Sequence, residues 1–199
     1  NTKMKQLSIV GFYMDETEIT NNEYRQFVEY VRDSIAHQML GGDHLKEGDN
    51  GKQAINWDMP IDMDWTTGNS VTEEGSQLEP MFYSEGDRIN GKKEIDPKKL
   101  EYAYTWFKWK EAAQQRPTDK DVKPRSAFME KKKISIYPDE MVWIRDFVYS
   151  YNEPMHNDYF WHQAYGDYPV VGVNWKQAKA FCAWRTLNKN TYIKSKKKG

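Results

Sequence analysis

Residues 167–185 most constrain how this chain can fold, because they predict an extended segment that turns directly into a helix. Pro169 fixes its own φ and disfavours helical conformation for the residue before it. The valine-rich run over 170–173 favours a short buried strand. Gly172 interrupts this run, which indicates a bend or a close approach of two backbones.

A helix is predicted directly after this segment. Asn174 has the side chain of an N-cap, and Gln177, three residues later, completes a capping box. Behind the cap, four residues recur with the spacing of one helical face: Ala178, Phe181, Cys182 and Arg185. The sequence therefore predicts a helix over about 175–187, with Phe181 and Cys182 buried in the core.

A second ordered motif lies near the start of the chain. Residues 1–14 predict an approach in strand conformation, and Thr20 and Glu23 then form a capping box. The apolar residues behind this cap have helical spacing: Tyr24, Phe27, Val28, Val31 and Ile35. A helix is therefore predicted over about 21–37, ending before the glycine pair at 41 and 42.

The segment between these two motifs is less regular. Residues 40–95 are polar and rich in glycine, which predicts irregular loop with short turns. Asp96 and Pro97 have the residue types of a helix start, so a helix is predicted over about 97–114. Alternating apolar residues then predict two paired strands, near 133–137 and 141–149.

The composition excludes some classes of function. The 199-residue chain has a net charge of -1, which argues against a nucleic-acid interface and against a broad membrane-surface patch. It has no run of about eighteen apolar residues, so no transmembrane helix is expected. Aromatic residues make up 15% of the chain and hydrophobic residues only 38%, so we expect a core built largely from rings.

Three groups of residues could ligate metals, and for each one a simpler interpretation is favoured. Asp62 and Asp64, and also the stretch from Asp43 to Asp49, suggest calcium, but they match no complete EF-hand spacing, so solvated loop is the better explanation. His156 and His162 have no carboxylate or cysteine at ligand spacing, and a metal role is the minor alternative. Cys182, the single cysteine, is interpreted as a small buried hydrophobe. We therefore expect no bound metal and no cofactor.

Both ordered motifs resemble one family. Residues 168–184 resemble the Tyr-Pro-Val-x-x-Val-(Ser/Asn/Thr)-Trp-x-x-Ala-x-x-(Phe/Tyr)-Cys-x-Trp block of formylglycine-generating-enzyme-like (sulfatase-modifying-factor) domains. Residues 12–27 resemble the N-terminal block of the same family. The resemblance implies an α+β domain with a C-type-lectin-like fold, little regular secondary structure and long loops. It also implies that residues 1–199 cover only the N-terminal part of one such domain, with a long insertion at about 40–165.

The same resemblance separates this chain from the enzymes of the family. Those enzymes convert a cysteine of a sulfatase to formylglycine with copper and oxygen, and their catalytic cysteines and calcium sites lie in the C-terminal half of the domain. This chain has one cysteine, Cys182, which corresponds to the structural cysteine of the helix. No catalytic residue carries over, so the expectation is a protein that is not an enzyme.

Segments of the insertion resemble one particular group of proteins within this family. Segments 96–102, 136–147 and 149–155 resemble the gliding-motility lipoproteins of the GldK/PorK family, which belong to the type IX secretion system of Bacteroidota. This resemblance implies a structural subunit at the periplasmic face of the outer membrane, held by a lipid anchor outside this chain. Such a subunit would form a homo-oligomeric ring with a GldN/PorN-like partner and other secretion components. The alternative is a formylglycine-generating oxidase whose catalytic half is missing here.

Aromatic residues in the irregular segments are the candidates for contact with a partner. A small domain cannot easily bury all of them, and Trp and Tyr commonly anchor protein interfaces. For any single residue of the set, packing inside the domain is the favoured alternative. The set is Trp57, Trp65, Phe82, Tyr83, Tyr151, Tyr159, Phe160 and Trp161.

Overall fold

A computed structural model describes residues 4, 6, 8, 9, 11, 14–48, 51–116, 122–146, 148–149 and 158–197. The α-helices of this part of the chain are α1 (Asn21–Leu40), α2 (Glu74–Gln77), α3 (Trp109–Gln114), α4 (Val142–Asp146) and α5 (Trp175–Lys197). Its strands are β1 (Leu45–Glu47), β2 (Gln53–Ile55), β3 (Glu101–Phe107) and β4 (Met129–Ser135). The strands form two antiparallel pairs, β1 with β2 and β3 with β4. This mixture of helices, small sheets and loops is an α+β arrangement.

Helix α1 confirms the first helix prediction and extends it to Leu40. The Thr20 hydroxyl accepts from the backbone N–H of Glu23, and the Glu23 carboxylate accepts from the backbone N–H of Thr20, so both halves of the capping box are present. The helix ends at Gly41, whose φ of 64° suits a residue without a Cβ. Its predicted apolar face is buried through Tyr24, Phe27, Val28 and Val31.

The prediction of a helix over 97–114 is wrong for most of its length. Asp96 does accept from the N–H of Lys98, but the turn that it caps is a single 3-10 turn, Pro97–Lys99. Strand β3 follows at once and pairs with β4, Glu101 opposite Ser135 and Phe107 opposite Met129. Tyr102, Tyr104 and Trp106 recur with a period of two, and aromatic residues favour strands.

The prediction that 133–137 pairs with 141–149 is also wrong. The first of these segments falls largely in β4, which lies against β3 instead. Of the second, residues 142–146 form helix α4, and residue 147 lies outside the described part. The Asp139 carboxylate accepts from the N–H of Met141, just before α4 begins. A local side-chain bond of this kind competes with the backbone pairing that a strand requires.

Helix α5 begins where the capping signal predicted. The Asn174 carboxamide oxygen accepts from the N–H of Gln177, and the Gln177 carboxamide oxygen accepts from the N–H of Asn174. The helix continues to Lys197, beyond the predicted end near 187. No strand precedes it within 158–173, where residue 169 forms only an isolated bridge to Thr20.

The buried face of α5 is shifted by one residue from the predicted face, although Phe181 is buried as expected. The buried positions are Gln177, Ala180, Phe181 and Trp184, and Cys182 is exposed. Trp184 packs its large ring on the core, and the Gln177 amide donates to the carbonyl oxygen of Tyr137 at 2.7 Å. These two contacts contribute more free energy than burial of the small Cys182 side chain would. The helix therefore turns Gln177 and Trp184, and not Cys182, toward the core.

The core lies where α1, α5 and the β3–β4 sheet meet, and it is built largely from rings, as the composition predicted. The ring centroids of Tyr24 and Phe181 are 5.4 Å apart, and those of Phe27 and Trp184 are 5.2 Å apart. Tyr102 of β3 meets Phe27 edge-on at 5.2 Å. The buried Tyr24 hydroxyl donates to the carbonyl oxygen of Ile136 at 2.8 Å, which joins α1 to the end of the sheet.

The described part of the glycine-rich segment 40–95 has the predicted short turns, but its hairpin and short helix were not predicted. It contains the β1–β2 hairpin, α2 and several single 3-10 turns, and it packs on the core through Leu78, Met81 and Phe82. No helix in the described ranges is both long enough and apolar enough to cross a bilayer.

Candidate interaction surface

The first turn of α1 fastens an aromatic loop, which we define as residues 158–169. The buried Asn21 side chain donates from Nδ2 to the carbonyl oxygens of Tyr165, at 2.8 Å, and Tyr159, at 3.4 Å. Arg25, one turn further along, donates from Nε to the carbonyl oxygen of Phe160 at 2.6 Å and from Nη2 to that of His162 at 3.2 Å. The carbonyl oxygens of His162 and Tyr165 also accept from backbone N–H groups of the loop itself, so these side chains add to the turn bonds of the loop.

Backbone contacts complete this attachment. The Asn22 N–H donates to the carbonyl oxygen of Gly166 at 2.8 Å, and the Asn21 N–H donates to that of Tyr168 at 2.9 Å. A Cβ on Gly166 would lie 2.6 Å from the Asn22 side-chain nitrogen, so glycine is the residue that permits this close approach. The aromatic loop is therefore positioned by α1 over most of its length.

A second junction fixes the chain that leaves the aromatic loop. Gly172 has a φ of 80°, and a Cβ there would overlap the carbonyl oxygen of Asp139. The Asp139 N–H donates to the carbonyl oxygen of Gly172 at 2.9 Å. The predicted bend and close backbone approach are confirmed. An open cleft of about 370 Å³ lies beside this junction, lined by residues that include Tyr137, Val142 and Asn174.

Two large side chains of the aromatic loop remain at the surface. Trp161 is 36% exposed, and its indole N–H donates to the Tyr137 hydroxyl at 2.7 Å. That hydroxyl in turn donates to the Glu140 carboxylate at 2.9 Å. Burial raises the pKa of Tyr137, so its hydroxyl stays protonated and the chain of donors is maintained. Tyr168 is 54% exposed and meets Tyr165 edge-on at 5.6 Å.

A comparison with protein families identifies the family of this domain. The family described as "Sulfatase-modifying factor enzyme 1-like domain" matches residues 2–189. The chain belongs to this family. No curated protein matches it, and no solved structure matches it.

Within this sulfatase-modifying-factor domain, three of the eight aromatic candidates are core residues. Phe82, Tyr159 and Phe160 are buried, so for them the alternative of packing inside the domain applies. Trp65 and Tyr83 are half-buried. Trp65 stacks on Phe82 at 6.3 Å and lies under the Arg32 guanidinium at 4.6 Å.

The remaining candidates have different fates. Trp57 is 46% exposed, and one of its faces stacks on Tyr30 at 4.9 Å. Trp161 is exposed on the aromatic loop. Tyr151 lies outside the described residues. Contact of Trp57 and Trp161 with a partner stays a prediction.

The sequence interpretation missed the residues that position the aromatic loop. Asn21, Asn22 and Arg25 carry this role, and Tyr168 is an exposed ring that was not selected. A signal for the first two was available. Asn has a low helix propensity, so two consecutive Asn residues in the first helical turn indicate side chains engaged elsewhere.

The possible metal ligands of this family member are engaged in local contacts. The Asp64 carboxylate accepts from the Thr67 hydroxyl and from the N–H groups of Thr66 and Thr67, and these bonds lower the pKa of Asp64. His162 Nδ1 accepts from the N–H of Ala164, and residue 156 lies outside the described part. Among the residues that the structure describes, no three His, Cys, Asp or Glu side chains are grouped as a metal site.

Proposed function

We propose that this sulfatase-modifying-factor domain is a non-catalytic structural subunit of the type IX secretion and gliding-motility machinery. In this proposal the protein forms a ring with a GldN/PorN-like partner at the periplasmic face of the outer membrane, where a lipid anchor outside residues 1–199 attaches it. The resemblance of segments 96–102, 136–147 and 149–155 to the GldK/PorK lipoproteins supports this assignment. We propose the C-type-lectin-like form of the α+β fold on the same resemblance.

The observation that supports partner binding most directly is the attachment of the aromatic loop. Side chains of Asn21 and Arg25 bind four of its carbonyl oxygens, so Trp161 and Tyr168 are presented in a fixed geometry. A surface that is ordered before binding loses less conformational entropy when the partner docks. Rings of this kind contribute much of the energy of protein interfaces.

A non-catalytic role is proposed because the chemistry of the family's enzymes depends on cysteine pairs. The single cysteine, Cys182, is exposed on α5, on the side of the helix away from the core. Its position differs from the buried one expected from the sequence, but one thiol still cannot provide a pair. Purified full-length protein should show no oxidation of a sulfatase-derived cysteine peptide. Activity that disappears in Cys182→Ser would refute this part of the proposal.

Co-expression with a GldN/PorN-like protein tests the structural role. We expect a large stable complex by size-exclusion chromatography with light scattering, and we expect it to persist at raised salt because aromatic contacts are not screened. Tyr168→Ala should weaken the complex, whereas Tyr192→Ala serves as a matched control, since the two tyrosines are 54% and 53% exposed.

Two results would contradict the proposal. One is a chain that stays monomeric with every secretion component while cells lacking it still secrete and glide. The other is a complex that Tyr168→Ala and Tyr192→Ala weaken equally, which would remove the aromatic loop from the interface. Detection of oxidase activity in place of assembly would favour the enzyme alternative.

A further inference from the structure

Two buried histidines and a glutamate form a chain of contacts away from the aromatic loop. His37 lies in the last turn of α1 and is 3% exposed, and His44 lies in the 3-10 turn Gly42–His44 and is 6% exposed. Their Nδ1 atoms are 3.0 Å apart. The Nε2 atom of His44 is 3.4 Å from a carboxylate oxygen of Glu74 in α2. Three separate elements thus meet through titratable groups.

The geometry indicates where the protons lie. A carboxylate facing Nε2 of His44 favours the tautomer that carries its proton on Nε2. Nδ1 of His44 is then an acceptor, and His37 donates to it from Nδ1. An additional proton on the far nitrogen of His37 would leave this bond in place, but it would put a charge on a side chain that is only 3% exposed, which burial disfavours. A second additional proton would place two N–H groups face to face across 3.0 Å.

The three groups also attach the polar residues 42–48 and 51–77 to α1. The second carboxylate oxygen of Glu74 accepts from the backbone N–H of Asp62 at 2.8 Å. The carbonyl oxygen of His44 accepts from the N–H of Asn56 at 2.9 Å. The ring of Trp57 meets His37 edge-on at 5.4 Å. A change in the protonation of the histidine pair would therefore alter contacts of the β1–β2 hairpin, of α2 and of the half-exposed Trp57.

We propose that His37, His44 and Glu74 form a pH-sensitive clasp, which holds residues 42–48 and 51–77 against the end of α1 at neutral pH and releases them on acidification. The proposal goes beyond the structural role given above and does not depend on it. It rests on the burial of the pair, on the opposed Nδ1 atoms and on the convergence of three elements.

The charges around the pair set the direction of the pH dependence. Burial lowers the pKa of His37, and the neighbouring His44 lowers it further. Asp33 of α1 and Glu74 of α2 act in the opposite direction but are outweighed. Trp57, from the segment after β2, is uncharged. Because the folded pKa is below the unfolded value of about 6.5, the clasp is complete above that pH and weakens as the pH falls through and below it.

Nuclear magnetic resonance of the histidine ring nitrogens in the whole chain tests the clasp. We expect His44 to carry its proton on Nε2 at pH 7.5 and His37 to titrate below about 6.5. Glu74→Gln removes a charge that favours protonated His37, so its titration midpoint should fall further. The backbone amide signals of 101–107 serve as an internal reference that this variant should leave unchanged.

The second measurement follows the release itself. The backbone amide signals of 42–48 and 51–57 and the Trp57 indole N–H signal should shift with the same midpoint as His37, while those of 101–107 should not. His37→Gln should abolish this shared transition. If that variant fails to fold, the wild-type titration alone decides the matter. A His37 midpoint at or above about 6.5, or amides of 42–57 that do not follow His37, would overturn the proposal.

Discussion

Gly172→Ala should destabilise the domain more than an ordinary glycine substitution, because two separate costs combine at this position. The first is conformational. A φ of 80° lies in the left-handed region, which costs an L-residue about 1–2 kcal/mol. The second is steric, since the new Cβ would overlap the backbone of Asp139. A backbone atom cannot move aside as the end of a flexible side chain can.

The steric cost can be bounded from the contacts. Forcing an added methyl group into a packed site typically costs about 1–3 kcal/mol. Moving the two backbones apart would also weaken the hydrogen bond from the Asp139 N–H to the Gly172 carbonyl oxygen. We therefore expect Gly172→Ala to lower the free energy of unfolding by about 2–5 kcal/mol in total.

Gly91→Ala is the matched control. Gly91 has a φ of 70°, and no atom lies within 4 Å of the position that its Cβ would take. It therefore bears only the conformational cost of about 1–2 kcal/mol. Urea unfolding followed by circular dichroism, with linear extrapolation, measures both variants. Equal losses in the two variants would refute the argument that the contact with Asp139 requires glycine at 172.

Three further perturbations test other contacts. Phe181→Ala should cost about 3–5 kcal/mol of unfolding free energy, because it removes a buried ring. The adjacent and exposed Cys182→Ala should change it by less than about 0.5 kcal/mol, and similar losses in the two variants would show that the assigned face of α5 is wrong. Arg25→Gln removes a charged donor from the carbonyl oxygens of Phe160 and His162 and should cost about 1–2 kcal/mol. Amide exchange should then accelerate in 158–168 but not in 101–107, and uniform acceleration would contradict a local role. Tyr24→Phe leaves the buried carbonyl of Ile136 without its hydroxyl donor, so unfolding should become easier by about 1–2 kcal/mol, and an unchanged urea midpoint would argue against that bond.

Local signals in the sequence determined where the two long helices begin. The capping boxes at Thr20 and Asn174 act between residues three apart, so the bonds that start α1 and α5 are specified by neighbouring side chains alone. The bend at Gly172 was predictable for the same reason, because glycine in a valine-rich run indicates a constraint on that residue's own backbone.

Neighbouring residues alone could not predict whether the segment that forms β3 would be a helix or a strand. Its aromatic residues fit both a helical and an alternating pattern, and an isolated strand has no partner for its backbone groups. Pairing with β4, more than twenty residues further along the chain, satisfies those groups. The choice between helix and strand therefore depended on a contact that no short window of sequence contains.

Only the tertiary structure decided which side chains are buried and which are presented. The buried face of α5 follows from contacts of Gln177 with the chain after β4 and of Trp184 with α1. Phe160 and Trp161 are adjacent in the sequence, yet the first is buried and the second is exposed. Their different fates follow from the way α1 holds the aromatic loop. Burial is a property of the surfaces that surround a side chain, and for the aromatic loop the surface that α1 supplies comes from residues more than a hundred positions away.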